Sequence, residues 1–323
     1  MSIVVTGGAG FIGSCIVRQL NDLGMDDIIV VDHIASTEKW KNLCNKVYRE
    51  YVNKEIFLES LNSKKYGDIT AIIHMGACSS TTELNFDYLW QNNVEYSKSL
   101  WKYCVEYQIP FLYASSAATY GDGNQGFNDK MDIRCLRPMN GYGYSKQVFD
   151  LWVNKQIDTP SHYAGFKFFN VYGPNEYCKG SMASMIYHGY KQIKERGSIR
   201  LFKSCNPKYE DGGQLRDFVY VKDICQAVIY FLNECRQNGI YNLGTGCAQS
   251  FRELAEATFY ALGIEPQIEY IDMPESLREK YQYYTKAEMK KIRDTGYKGY
   301  FRNLEEGAKD YVQNHLNRNF EIY

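Results

Sequence analysis

Tyr142 and Lys146, in the stretch YGYSK, stand four residues apart, which places both on one face of any helix that carries them. A tyrosine with its ordinary pKa of about 10 is a poor base at neutral pH. A neighbouring ammonium, or a positively charged cofactor ring, favours the phenolate and makes proton transfer accessible. Ser116 closes the apolar run FLYASS and can donate a hydrogen bond to the same substrate oxygen. A second lysine draws notice: Lys179, in NEYCKGSMAS, is bracketed by Cys178, Gly180 and Ser181, small residues that suit a pocket lining better than a helix exterior. Residue types alone leave it open as a phosphate or hydroxyl contact, or as an exposed side chain. An isolated Tyr-x-x-x-Lys equally describes a packed tyrosine beside a solvated lysine, so the pair gains meaning only from its surroundings.

Those surroundings begin at the N-terminus. TGGAGFIG carries Gly7, Gly10 and Gly13 directly after the first strand pattern and at the start of the first helix pattern. Glycines let the backbone turn tightly and approach a pyrophosphate, and the helix N-terminus offers free N–H groups. Asp32 ends the second strand ~20 residues on, the position of a ribose-binding carboxylate. A carboxylate there suits NAD, yet Lys39 and Lys41 follow closely and suit the 2′-phosphate of NADP, so both cofactors stay open.

The elements that must position these groups are legible as alternation. Strand patterns at 3–7, 28–32, 71–77, 110–116 and 163–171 are separated by helix patterns at 11–24, 89–108 and 142–156, with Gly24 as a helix-ending residue. This predicts an α/β, Rossmann-type, doubly wound parallel sheet. After about residue 172 the pattern loosens, with a helix at 251–263 and a strand at 240–245 that returns to the sheet. We therefore expect a dinucleotide-binding domain over 1–172, its sheet completed from 215–245, and a smaller, interleaved mixed α/β substrate lobe over 173–323.

Composition excludes several classes. With 323 residues, 45% hydrophobic and 23% charged, and a net charge of -1, nothing favours nucleic acid or an anionic membrane as partner. No secretory signal or membrane-spanning run stands out, so a cytoplasmic protein is expected. The ten cysteines lack C-x-x-C or zinc spacing, so they read as reduced and no metal site is expected.

TGGAGFIG, YASSAATYG, YGYSK and FNVYGP together resemble the extended short-chain dehydrogenase/reductase family of nucleotide-sugar enzymes, the NAD-dependent epimerases and dehydratases. Nearly end to end, and most specifically in GACSSTTE (76–83) and CKGSMAS (178–184), the chain is similar to the branch of that family that epimerises ADP-heptoses at C6. The resemblance implies transient oxidation by tightly held NADP and return of the hydride to the opposite face, for lipopolysaccharide heptose. It implies two acid/base groups, Tyr142 and Lys179, and a homo-oligomer, pentameric in that branch. Cofactor contacts would be the glycine turn with Phe11 and Ile12, then Asp32, His33, Lys39, Lys54, Met75, Gly76, Ala77, Cys78, Ser79, Asn92, Lys146, Val171 and Lys179. Substrate contacts would be Asn170, Ser181, His188, Phe202, Arg216 and Tyr281; a guanidinium fork at Arg216 suits a diphosphate on its own chemistry. Arg216 beside Asp217 also fits a local ion pair, and His188 a satisfied core histidine. Met75 stands where members of the branch often carry an acid, so no carboxylate role is expected there.

Related enzymes remain as alternatives. A UDP-hexose 4-epimerase shares the glycines, Ser116 and the Tyr/Lys pair but leaves CKGSMAS unexplained. A 4,6-dehydratase would need an acid pair where this chain has Ala117 and Ala118. A dinucleotide-binding sensor that has lost its chemistry should have lost Tyr142 or Lys146 first.

Overall fold

The computed structural model describes residues 2–278 and 281–323. Seven strands form one sheet: β1 (Ser2–Thr6), β2 (Ile28–Asp32), β3 (Glu50–Asn53), β4 (Ile69–His74), β5 (Phe111–Ser116), β6 (Tyr163–Phe168) and β7 (Gly239–Leu243). Their order is 3-2-1-4-5-6-7, and every pairing is parallel. The order reverses between β1 and β4, where open α/β sheets bind ligands at the carboxyl ends of their strands. Thr6, Asp32, His74 and Ser116 all end strands, so the chemistry expected from the sequence collects along that edge.

Successive strand residues point to opposite faces, and each face has its own core. Val5, Val30, Ile73 and Leu112 pack under the helices Phe11–Asp22 and Val221–Asn233. Val4, Ile29, Ile72, Phe111 and Tyr113 pack under Tyr96–Glu106 and Gly141–Val153. A third core of Ile193, Ile199, Leu201, Ala255 and Phe259 belongs to the second half of the chain. There the short parallel pair Ile199–Phe202 and Ile268–Ile271 is covered by the helices Met185–Arg196 and Phe251–Ala261. The latter starts with a capping box between Ser250 and Glu253.

Three departures from the sequence pattern bear on the site. β3 is short and polar, and the pattern gave no sign of it. The expected strand 163–171 breaks at Phe169, and Asn170–Tyr172 instead pairs with Phe218–Tyr220. The expected helix 89–108 contains a π-helical stretch, Trp90–Glu95, between the α-helical segments Phe86–Leu89 and Tyr96–Glu106. No described helix is long and apolar enough to cross a membrane.

Candidate active site

At the mouth of the first helix, Gly7 has φ +65° and a Cβ there would lie 2.6 Å from Gly76 N; one at Gly13 would lie 2.1 Å from Gly7 O. Both glycines are therefore required by the close approach of turn, helix and neighbouring loop. No side chain caps Gly10, leaving the helix N-terminus open to an anionic ligand. A cavity of about 150 Å³ opens beside it, lined by Gly7, Asp32, His33, Lys39, Lys54 and Asn92 among others. With Gly76 and Ala77, eight positions expected to contact cofactor are thus gathered in one place.

The Asp32 carboxylate is fully engaged. Oδ2 accepts from Ala9 N at 3.0 Å, and Oδ1 accepts from His33 N at 2.7 Å and from Lys39 Nζ at 2.6 Å. Lys39 Nζ also donates to His33 O at 2.8 Å, and Lys54 donates to the Asn92 amide oxygen. His33 lies 3.3 Å from Glu55. The charge of Asp32 is therefore compensated, and two lysines and a histidine edge this end of the cavity. A turn that excludes side chains, an uncapped helix start and this polar, cation-edged cavity fit a dinucleotide.

Ser116 caps the turn after β5, accepting from Ala118 N at 3.1 Å, and hydrogen-bonds the Tyr142 phenol. Asn140 opens the next helix by accepting from Gly143 N at 2.8 Å, which holds Tyr142 half-buried in its first turn. Burial pushes the Tyr142 phenol up, opposed by the Ser116 hydrogen bond. Lys146 is 4% exposed and donates to Ala114 O at 2.8 Å; burial pulls its ammonium down to about 8. The sequence reading had the ammonium assisting the phenol directly. In the structure Lys146 is engaged with a strand carbonyl, and desolvation dominates both groups.

Lys179 reaches the same edge from a different direction. It sits in the short 3₁₀ segment Tyr177–Met182, kinked at Gly180 with φ 55°, and its Nζ lies 5.5 Å from the centroid of the Phe11 ring. Burial lowers its pKa, and the Glu176 carboxylate opposes that shift. The lysine thus stands over the first residue of the glycine-turn helix.

Arg216 is buried, with Phe251 and Tyr281 at 5.6 and 5.4 Å from its guanidinium, which also donates to Leu215 O and Gln282 O. The local ion pair with Asp217 is not what holds it. Asp217 accepts instead from Thr245 N and Oγ1, Gly246 N and Ala287 N at 2.6–2.9 Å. Asn170 and Ser181 are exposed and Val171 is half-buried. His188 is half-buried with its ring edge-on to Tyr187 at 5.5 Å, and Phe202 ends its strand. Of the expected substrate contacts, Arg216 and Tyr281 are the two brought into direct contact.

The sequence reading missed Asn93, one residue from the expected Asn92. In the π-helical stretch, Asn93 Oδ1 accepts from Cys78 N at 2.8 Å, and Nδ2 donates to Cys78 O and to Ser145 Oγ at 3.0 Å. It ties the loop Met75–Ser79 to the helix of Tyr142. Ser97 donates to Asn93 O and lies 2.8 Å from His74 Nε2, whose Nδ1 is 2.6 Å from Thr6 Oγ1. Burial holds His74 neutral, with its pKa drawn down to about 3.

Comparison with known proteins places the chain in a family. The model of the NAD dependent epimerase/dehydratase family matches residues 3–244. ADP-L-glycero-D-manno-heptose-6-epimerase of Nitratidesulfovibrio vulgaris (strain DP4) is 50% identical over 315 residues, covering 97% of each chain. The enzyme of the same name from Fusobacterium nucleatum is 48% identical over 324 residues, covering 97% of this chain and 98% of its own. Among solved structures, ADP-L-glycero-D-manno-heptose-6-epimerase of Helicobacter pylori superposes with a TM-score of 0.82 at 27% identity, covering 97% of this chain and 95% of that one. The chain belongs to the NAD dependent epimerase/dehydratase family.

Proposed function

We propose that the chain converts ADP-D-glycero-β-D-manno-heptose to its L-glycero epimer at C6 through a 6-keto intermediate, with NADP as the resident cofactor. The observation that carries this reading is the pair of acid/base groups arriving at one strand edge from different elements. Tyr142 is bonded to Ser116 at the end of β5, and Lys179 lies over Phe11 at the start of the first helix. Inverting a carbinol carbon requires a proton to leave one face's hydroxyl and return to the other's, which suits two separate groups. The names of relatives about half identical over nearly the whole chain support the same substrate.

NADP, when bound, supplies the hydride acceptor and donor. Lys39, Lys54 and His33 would hold its 2′-phosphate, because the Asp32 carboxylate that would repel it is already paired with Lys39. Ser116 donates a hydrogen bond to the reacting oxygen, Tyr142 exchanges its proton on one side, and Lys179 does so on the other. Burial lowers Lys179, which makes an amine available as base nearer neutral pH. Arg216, stacked on Tyr281, would take the diphosphate. The domain division follows: the seven-stranded sheet holds the cofactor, and the lobe built on the third core holds the sugar nucleotide. We place the enzyme in the cytoplasm as a homo-oligomer, its product destined for lipopolysaccharide heptose.

The test is epimerisation of ADP-D-glycero-β-D-manno-heptose followed by anion-exchange chromatography, with Tyr142→Phe and Lys179→Met alongside. Turnover by the wild type and its collapse in both variants is expected. No turnover by protein that demonstrably binds NADP would sink the heptose assignment, and activity on UDP-glucose instead would move the chain to the 4-epimerases.

A further inference from the structure

Three charged side chains are buried together behind the catalytic edge. Asp150 is 0% exposed, Lys167 2% and Lys146 4%. Tyr142, Lys146 and Asp150 follow one another at intervals of four, so they form one stripe along the helix Gly141–Val153. Asp150 accepts three hydrogen bonds: from Lys167 Nζ at 2.8 Å, Ser115 Oγ at 2.7 Å and Tyr113 OH at 3.1 Å. Lys167, on β6, also donates to Thr119 Oγ1 at 2.7 Å, and its ammonium lies 5.3 Å from the Tyr120 ring centroid. Thr119 in turn donates to Ser116 O at 2.8 Å. Every partner therefore flanks the strand end that presents Ser116 and Ala114, the latter being the carbonyl to which Lys146 is bonded.

A buried ion pair is a costly way to hold a fold together, since apolar side chains of the same volume often serve as well or better. Its retention here asks for another consequence, and the geometry supplies one. We propose that Asp150, held by Lys167, is a positioning residue for the reaction: a buried counter-charge that keeps Lys146 an ammonium and fixes the Tyr142–Lys146 face against β5. Lys146 needs such a group. Burial depresses it to about 8, and Asp150 is the leading influence in the opposite direction. The remaining titratable neighbours offer little compensation. His74 on β4 is neutral, the Cys78 thiol approaches from the loop after β4, and Tyr142 on the same helix is held as a phenol. Lys167 keeps Asp150 from acting without limit, because the same carboxylate also discourages ionisation of Tyr142. The pair delivers a partly neutralised negative charge to the helix, enough to hold a proton on Lys146 and modest in its effect on the phenol.

The experiment measures Lys146 itself. Cofactor-free protein carrying ¹³C,¹⁵N-lysine is titrated by NMR, with the Lys146 resonance assigned by its loss in Lys146→Met. The wild type should titrate near 8, and Asp150→Asn should move the midpoint down by roughly one unit, the scale of a close charge partner. Asp150→Asn/Lys167→Met removes both charges and should give a smaller shift of the same sign. It also serves if the single variant fails to fold, because it does not leave the Lys167 ammonium unpaired in the core. The link to catalysis rests on the function proposed above: the alkaline limb of kcat/KM should move to lower pH with the midpoint. An unchanged Lys146 midpoint in a folded variant overturns the inference, even where thermal stability falls. Failure of the wild type to turn over ADP-heptose would remove the proposed substrate, while the NMR midpoint would still decide the role of Asp150.

Discussion

Tyr142 and Lys179, the two acid/base groups proposed above, are carried by two very different pieces of structure. Tyr142 stands half-buried in the first turn of a 13-residue helix, capped by Asn140 and braced through Ser145 to Asn93. Lys179 stands in a six-residue 3₁₀ segment with a positive-φ kink one residue later and no buried member. Tyr177 anchors its start, packing on Tyr187 and Phe320 and donating to Glu321 O at 3.0 Å, and a buried carboxylate ties its end. Glu176 accepts from Ser184 N and Ser184 Oγ at 2.6 Å, stapling the loop to the start of the helix Met185–Arg196. Tyr142 is thus fixed within a regular element, and Lys179 by a short irregular segment anchored at Tyr177 and Glu176. On the proposed reading, a second acid/base group is added to the sheet scaffold by a loop and a staple, leaving the sheet and its helices untouched.

The largest expected effects separate the two groups. Tyr142→Phe and Lys179→Met should each lower epimerisation by about 10²–10⁴-fold, the usual contribution of a positioned general acid or base. Their partial reactions should differ. Mixed with one epimer at a time, each variant should fail to reduce its bound cofactor from one epimer while retaining that step from the other, and the two variants should show opposite preferences. Rapid-mixing absorbance of the reduced nicotinamide reads this directly. Equal loss from both epimers in both variants would break the division of labour.

The cofactor end sharpens the contrast, because it belongs wholly to the regular half. Lys39 holds Asp32 at 2.6 Å and edges the cavity beside Gly7. Lys39→Met should weaken NADP by about 10–100-fold, the worth of a charge-assisted hydrogen bond, and leave NAD nearly unchanged. Calorimetric titration with each dinucleotide checks it. Equal weakening of both would assign Lys39 to Asp32 alone.

The same contrast governs what could be read from the chain. The regular half was legible because its signals are local and periodic: apolar strand runs, the glycine turn, the four-residue spacing of Tyr142 and Lys146. β3, with only Val52 buried, lacks that signal, and the π-helical stretch is hidden because one altered hydrogen-bond register hardly disturbs an apolar repeat. Lys179 stood out by its small neighbours, but the acid/base role came from family resemblance. Asp150 and Lys167 were missed although each left a mark: a lysine inside YAGFKF and an aspartate inside QVFDLWV are charges in apolar runs. Charges so placed are rarely buried unless paired, so two of them in neighbouring elements are a contact waiting to be inferred. Asn93 and Asp217 left no such mark, because their partners are mostly backbone groups in loops that come together only in three dimensions.

Glu176→Gln tests the staple and should give the smallest effect of the series. Three donors, Gly173 N, Ser184 N and Ser184 Oγ, now meet two carboxylate oxygens. An amide offers one oxygen, so its NH2 must face a donor or swing away, and a buried group left unpaired costs about 1–2 kcal/mol. Chemical denaturation should register that loss. The substitution also removes the charge that opposes desolvation of Lys179, so its pKa should fall further below the ordinary lysine value. A base whose pKa falls is unprotonated to lower pH. The limb of the pH profile that depends on Lys179 should therefore move in the acid direction, while the steps that depend on Tyr142 stay where they are. A shift of both limbs together would mean that the segment and the catalytic helix respond as one body, and the distinction between a braced group and a stapled one would have to be given up.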